Sequence, residues 1–148
     1  MSDSIPRANK RNQIIKYSKK DRCKNYAKEK SIPKSYTENT LKEELILEHV
    51  IEYRKEFSLV IDPKRELFLY PPNECGKYKF ICNTIRPTKV PYPELYDYVK
   101  CAKFISQFIE YEELNPSYEF PKVLPSPNNV LDWQIGDCFD MSIVLCSL

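Results

Sequence analysis

Cys138 is the residue whose type and position could support chemistry. It follows Gly136 and Asp137 in the stretch "GDCFDMSIVLCSL", where an apolar run predicts a helix. Free N–H groups and the helix dipole at a helix N-terminus stabilise a thiolate. A cysteine in this place can therefore act as a nucleophile, provided that a general base removes its proton.

The sequence offers no such base near Cys138. The chain contains one histidine, His49, and its place on another predicted helix indicates a surface or rim residue. Asp137 and Asp140 flank the thiol, and their negative charge disfavours a thiolate. We therefore predict that Cys138 is an inert packing residue, buried against Trp133 and the apolar helix, and that the chain has no catalytic residue.

The other cysteines and the glycines exclude several classes of site. The six cysteines form no CxxC pair, and with a single histidine they predict no metal site. Only two glycines are present, and no phosphate-binding or dinucleotide fingerprint occurs, so we predict no cofactor. The first residues lack the apolar core of a signal peptide, and the chain lacks the run of about 20 apolar residues of a membrane span. We expect a reduced, soluble, intracellular protein that binds no membrane.

The charge is divided between two regions. Residues 1–36 carry eleven Lys and Arg against three acidic residues, whereas residues 37–148 carry twelve against eighteen. We predict an extended basic arm over 1–36, which packs on a partner in extended or short-helical form, and a folded body over 37–148. Such an arm suits an acidic protein surface, and we expect its binding to weaken with salt. Since it carries no base-reading motif, nucleic acid is not an expected partner.

Apolar periodicity predicts an α+β body with little sheet and three main helices, near residues 40–57, 93–112 and 138–148. Thr40 and Glu43 have the spacing of a capping box at the start of the first helix. The second helix has a predicted apolar stripe, with Cys101 beside it as a core residue. Its members are Leu95, Tyr98, Val99, Ala102, Ile105 and Ile109. The runs "ELFLY" and "YKFIC" favour an antiparallel pair, and "NNVLDWQ" reads as a short strand or extended segment.

Four motifs give the sequence a family resemblance. They are PxNECGxxKF, TxRPT, PYPELY and GxCFDxSxxLCS, in that order, within about Lys34 to Leu148. With "KSYTENTLKEELILEHV" before them, they resemble subunit 7 of the nexin–dynein regulatory complex of motile cilia and flagella. The resemblance implies an axonemal scaffold that links doublet microtubules and restrains dynein-driven sliding.

The same resemblance implies a mainly helical, partial transglutaminase-like (papain-related) domain over 37–148. Cys138 then occupies that fold's nucleophile position, whereas the fold's histidine and aspartate lie beyond the last residue. We therefore expect the N-terminal portion of a longer subunit, as a split, short or truncated product. The last helix, Met141 to Leu148, is almost wholly apolar, and we expect another chain to cover it.

The sequence thus leads to a non-enzymatic structural subunit of the axoneme, in the cytoskeleton of the cilium. Its expected partners are other subunits of the complex, together with doublet tubulin and inner-arm dynein as candidates. The alternative is a cysteine protease or transglutaminase-like enzyme that is whole only if a second chain supplies the missing histidine and aspartate.

Overall fold

A computed structural model describes residues 17–29, 31–114 and 119–148. The first sixteen residues of the basic arm lie outside this part of the chain. Its α-helices are α1 Lys19–Tyr26, α2 Lys34–Thr37, α3 Leu41–Glu56, α4 Ile81–Thr84, α5 Tyr98–Phe108, α6 Pro127–Trp133 and α7 Cys138–Ser147. A π-helical turn covers Phe57–Ile61, a 3₁₀ turn covers Pro93–Tyr96, and the strands are β1 Glu110–Tyr111 and β2 Ile135–Gly136. A mainly helical α+β fold is confirmed for the described residues.

The arm is not extended between residues 19 and 26: there it has the short-helical form, as α1. Ser18 caps α1 by accepting a hydrogen bond from the backbone N–H of Asp21. Cys23 is buried, and the Tyr26 ring meets the Trp133 ring edge-on at 6.0 Å. Lys19, Cys23 and Tyr26 are spaced four and three residues apart, so a helix brings them to one face. Tertiary contacts on that face stabilise the helix, although the composition of the segment alone indicates an extended, solvated chain.

Helix α3 is confirmed, together with its capping box. The Thr40 hydroxyl accepts from the Glu43 backbone N–H at 3.2 Å, and the Glu43 carboxylate accepts from the Thr40 N–H at 2.9 Å. The apolar face is narrower than the sequence indicates. Leu47 is buried, whereas Leu41 is exposed, so much of the helix presents apolar and acidic side chains to solvent.

The predicted second helix consists of two pieces and is shorter than residues 93–112. A 3₁₀ turn ends at Tyr96, and Asp97 then caps α5 by accepting from the N–H groups of Val99 and Lys100. The buried stripe is also displaced from the predicted one. Cys101 lies at its centre, together with Ile105, whereas Tyr98, Val99 and Ala102 are exposed. After Ile109 the chain becomes extended and forms β1.

Helix α6 replaces the predicted short strand or extended segment at "NNVLDWQ". Ser126 holds the extended N-cap conformation, Pro127 stands in the first turn, and Gln134 ends the helix in the left-handed conformation at φ 56°. Proline fits a first helical turn because its missing N–H would have no partner there. Farther upstream, the expected antiparallel pair is reduced to one bridge between Pro72 and Tyr78, because "YKFIC" turns into α4.

The core forms where α5, α6 and α7 meet. Its buried residues are Cys101, Ile105, Ile109, Val130 and Val144, with Phe104, Leu131, Met141 and Leu148 packed against them. Strands β1 and β2 pair in parallel, Glu110 with Ile135 and Tyr111 with Gly136. This two-residue pairing ties the end of α5 to the segment that leads into α7.

Candidate functional site

The start of α7 is the place that the sequence marks for chemistry. Asp137 caps the helix, accepting from the N–H groups of Phe139 at 2.8 Å and Asp140 at 3.1 Å. The Asp140 carboxylate accepts in return from the Asp137 N–H at 2.9 Å, which completes a capping box. Gly136 leaves the room that this turn needs, since a Cβ there would stand 2.8 Å from the Asp140 Cβ.

Lys19 lies between the two carboxylates. Its Nζ is 2.6 Å from Asp137 Oδ2 and 2.7 Å from Asp140 Oδ2. The exposed fraction of the side chain is 12% for Lys19, 1% for Asp137 and 0% for Asp140. The sequence gives no local signal for this contact, because the residues are more than 100 positions apart. The only general signal is that two aspartates at the edge of an apolar helix need a cation if they are buried.

The electrostatics of this cluster follow from two buried carboxylates that share one ammonium group. Burial raises the pKa of Asp140 to about 7, with Lys19 lowering it and the neighbouring Asp137 raising it. Burial by itself would lower the pKa of Lys19, but the attraction of both aspartates outweighs this and raises its pKa above the ordinary value. Lys19 is therefore held as a cation, and Asp140 is the group that takes up a proton as the pH falls.

Cys138 is exposed, and the prediction that it packs in the interior is wrong. The residues that α7 turns inward are Asp137, Asp140, Ile143, Val144 and Ser147, whereas those it turns outward are Cys138, Ser142, Leu145 and Cys146. Cys101 is buried, as predicted, and burial raises the pKa of its thiol. Cys23, which lies one turn after Lys19, is also buried, and burial raises its pKa to about 12.

His49 does not accompany Cys138. It lies on α3 with 90% of its side chain exposed, as predicted, and its Nδ1 is 3.8 Å from Glu52 Oε2. It belongs to a groove with Val50 and Phe80, whereas α7 packs against α5 and α6. The start of α7 thus presents a thiol beside two carboxylates already paired with Lys19. This arrangement attaches α1 to α7.

The "PPNECGK" motif builds a second buried polar cluster. Glu74 accepts hydrogen bonds from the Ser126 hydroxyl at 2.8 Å and from the Asn129 amide. The Asn73 side chain accepts from the N–H groups of Cys75 and Lys77 and so shapes the loop around Gly76, whose φ is +79°. These contacts hold the loop on the start of α6, so the motif has a structural role.

The residues that the structure describes hold no metal-ligand cluster and no membrane-spanning helix. In that part of the chain no group of three or more His, Cys, Asp or Glu side chains could hold a metal ion. Across the same residues no helix combines the length and apolar character needed to cross a membrane.

Comparison with known proteins identifies relatives of this chain. No family model matches it. It is 44% identical over 114 residues to dynein regulatory complex subunit 7 of Xenopus tropicalis, which covers 77% of this chain and 13% of that protein. It is 44% identical over 117 residues to the Bos taurus subunit 7 (79% of this chain, 13% of that protein) and 38% identical over 117 residues to that of Chlamydomonas reinhardtii (79% and 10%).

The aligned length agrees with the span from Lys34 to Leu148 that carries the four motifs. The chain spans only about an eighth of the length of the curated relatives it matches. The resemblance read from the motifs is confirmed, and this chain is a homologue of part of dynein regulatory complex subunit 7.

Proposed function

We propose that this chain is a structural component of the dynein regulatory complex in the axoneme of cilia or flagella. Identity of 38–44% to proteins named subunit 7 of that complex, over more than three quarters of the chain, carries the proposal. In this role it helps to link doublet microtubules and to regulate dynein-driven motility, within the cytoskeleton. Its partners are other subunits of the complex, with tubulin and inner-arm dynein as further contacts of the basic arm.

The proposed role is non-enzymatic, and the geometry at Cys138 supports this. A thiol nucleophile needs a base within about 3 Å and a group that orients the base. Lys19 and the capping box engage Asp137 and Oδ2 of Asp140, which holds the helix in place. The other oxygen of Asp140, Oδ1, is buried and makes no hydrogen bond to the Cys138 thiol. The names of the relatives give no support to the alternative of a cysteine protease or transglutaminase-like enzyme.

The domain assignment also belongs to this proposal. In it, residues 37–148 form the first part of a transglutaminase-like domain, and residues 1–36 form a basic arm whose α1 is docked on that part. A further chain covers the outer face of α7, where Leu145 and Cys146 are exposed. Their exposure supports such a cover, because an apolar face on a helix end favours burial.

Expression of a tagged chain in ciliated cells tests the proposal. We expect it to stay with axonemes after detergent extraction and to be released at high salt together with complex subunits. The Cys138→Ala variant should show the same retention and the same release. A tagged chain that washes out with the detergent-soluble fraction would refute the structural role. Loss of a measurable acyl-transfer or protease activity in the Cys138→Ala variant would refute the non-enzymatic assignment.

A further inference from the structure

The groove beside α3 is a feature that the proposed function does not use. It has a volume of about 550 Å³ and lies between α3 and the segments that carry Leu69 and Phe80. Ile46, Val50 and Tyr53 line it from the helix. Apolar side chains thus form most of a groove that runs beside the helix and is open to solvent.

An acidic row follows one side of this groove. Glu48, Glu52 and Glu56 are exposed and stand four residues apart on α3, so successive turns place them one after another. Glu52 and Glu56 line the groove itself. Within the residues the structure describes, no Lys or Arg pairs with these three, and the one ionic neighbour is His49, 3.8 Å from Glu52.

The glutamates at the other end of α3 behave differently. Glu43 lies 3.5 Å from Lys79 Nζ, and Glu44 lies 3.2 Å from Lys77 Nζ. Burial alone would raise the pKa of Glu43, but the hydrogen bond from the Thr40 backbone N–H and the attraction to Lys79 together lower it. The first two acidic residues of the helix therefore pair with lysines of this chain, whereas the last three face solvent.

We propose that this groove binds a basic amphipathic helix of a partner protein. An apolar groove accepts an amphipathic helix through residues at i, i+3 or i+4, and i+7. The stretch from Ile46 to Glu56 rises about 15 Å, which matches about three turns of such a helix. Lys or Arg beside its apolar stripe would meet the three glutamates and set its direction and salt dependence. The identity of the partner as a ciliary protein rests on the proposed function, whereas the binding of a basic amphipathic helix rests on the groove itself.

Binding of a synthetic peptide tests the chemistry of the groove. The probe is a fluorescent 14-residue helix with Leu at i, i+3, i+4 and i+7 and Lys elsewhere, measured by anisotropy on the whole chain. The variant Glu48→Gln/Glu52→Gln/Glu56→Gln should bind it about 10-fold more weakly at low salt, and the difference should shrink at high salt. The matched control is Glu94→Gln/Glu113→Gln/Glu119→Gln, which changes the net charge equally on exposed residues elsewhere.

Cross-linking in cilia tests the occupant. A photoreactive amino acid at His49 of the tagged chain should join it to a basic helical segment of another protein, and the triple Gln variant should lower the yield of this product. The same amino acid at exposed Tyr96 is the control. Equal peptide binding by the two triple variants would overturn the inference. So would the absence of a cross-link, or cross-links to residues 1–16, to a second copy or to a segment without basic residues. A chain that never reaches axonemes would refute the proposed function, whereas the peptide assay would still decide the chemistry of the groove.

Discussion

Replacing Lys19 by Met is the sharpest perturbation of this fold. Met has a similar length and removes only the charge and the hydrogen bonds. Asp137 and Asp140 would then be two adjacent carboxylates, 1% and 0% exposed, without the Lys19 ammonium group that contacts both. Breaking a buried ion pair by removing one partner costs about 3–5 kcal/mol, because the remaining charge stays buried and unpaired. We expect a loss of this size in the free energy of unfolding at pH 8, where Asp140 is ionised.

Urea unfolding of the whole chain measures this loss. Trp133 is the only tryptophan and packs against Tyr26, so its fluorescence reports the attachment of α1, while circular dichroism reports the helices overall. Lys20→Met is the matched control, since Lys20 is exposed on the same helix. Addition of Asp140→Asn to Lys19→Met should recover more than 1 kcal/mol, because it removes one of the two stranded charges. A loss below 1 kcal/mol, or one equal to that of Lys20→Met, would refute the buried cluster.

Three further results follow from the described contacts. The folded pKa of Asp140 is about 7 against 3.8 for the ordinary group, so the folded state binds this proton more tightly. As the pH rises from 4 to 7, the free energy of unfolding of the wild type, relative to Asp140→Asn, should therefore fall by up to about 1.4 kcal/mol per pH unit. An increase in this free energy over the same rise in pH would contradict the prediction. Gly136→Ala should cost about 1–3 kcal/mol in thermal or urea unfolding, since its Cβ would press on Asp140, and a neutral effect would be inconsistent with the turn. Iodoacetamide should modify Cys138 in the native chain no more than several-fold faster than the other exposed thiols, which mass spectrometry of timed samples measures. A much faster, selective reaction of Cys138 would indicate an activated nucleophile. The exposed reference thiols are Cys82 and Cys146, and the protected buried ones are Cys23 and Cys101.

Local sequence signals predicted the starts of α3 and α7. The Thr40–Glu43 box needs only residues three apart, and the structure contains it. The apolar rhythm around Ile105 likewise predicted a helix through Val99. The predicted and the buried faces differ in part: Tyr98, Val99 and Ala102 are exposed, whereas Cys101, Ile105 and Ile109 belong to the core.

The site could not be predicted from local pattern. Helix α7 is apolar on nearly every side, so periodicity cannot tell which side is buried, and Cys138 was placed on the wrong one. The role of Lys19 depends on a contact across the chain, and a lysine in a basic arm gives no sign of burial. The helical state of "NNVLDWQ" also follows from its neighbours, because α6 is held by Glu74 at its start and by the core at Val130.

The distance along the chain between Lys19 and its carboxylates has a consequence for the order of events during synthesis. Helix α1 has eight residues, fewer than the 12–15 that an isolated helix needs, so it requires its docking surface in order to form. Asp137 follows Lys19 by 118 residues, which at about 5–20 residues per second is a delay of about 6–24 s. During that interval the basic segment is unfolded and open to chaperones or to an assembling partner. A partner that captured it first would leave Asp137 and Asp140 without the ammonium group of Lys19, so binding during this interval would compete with inward folding of the segment.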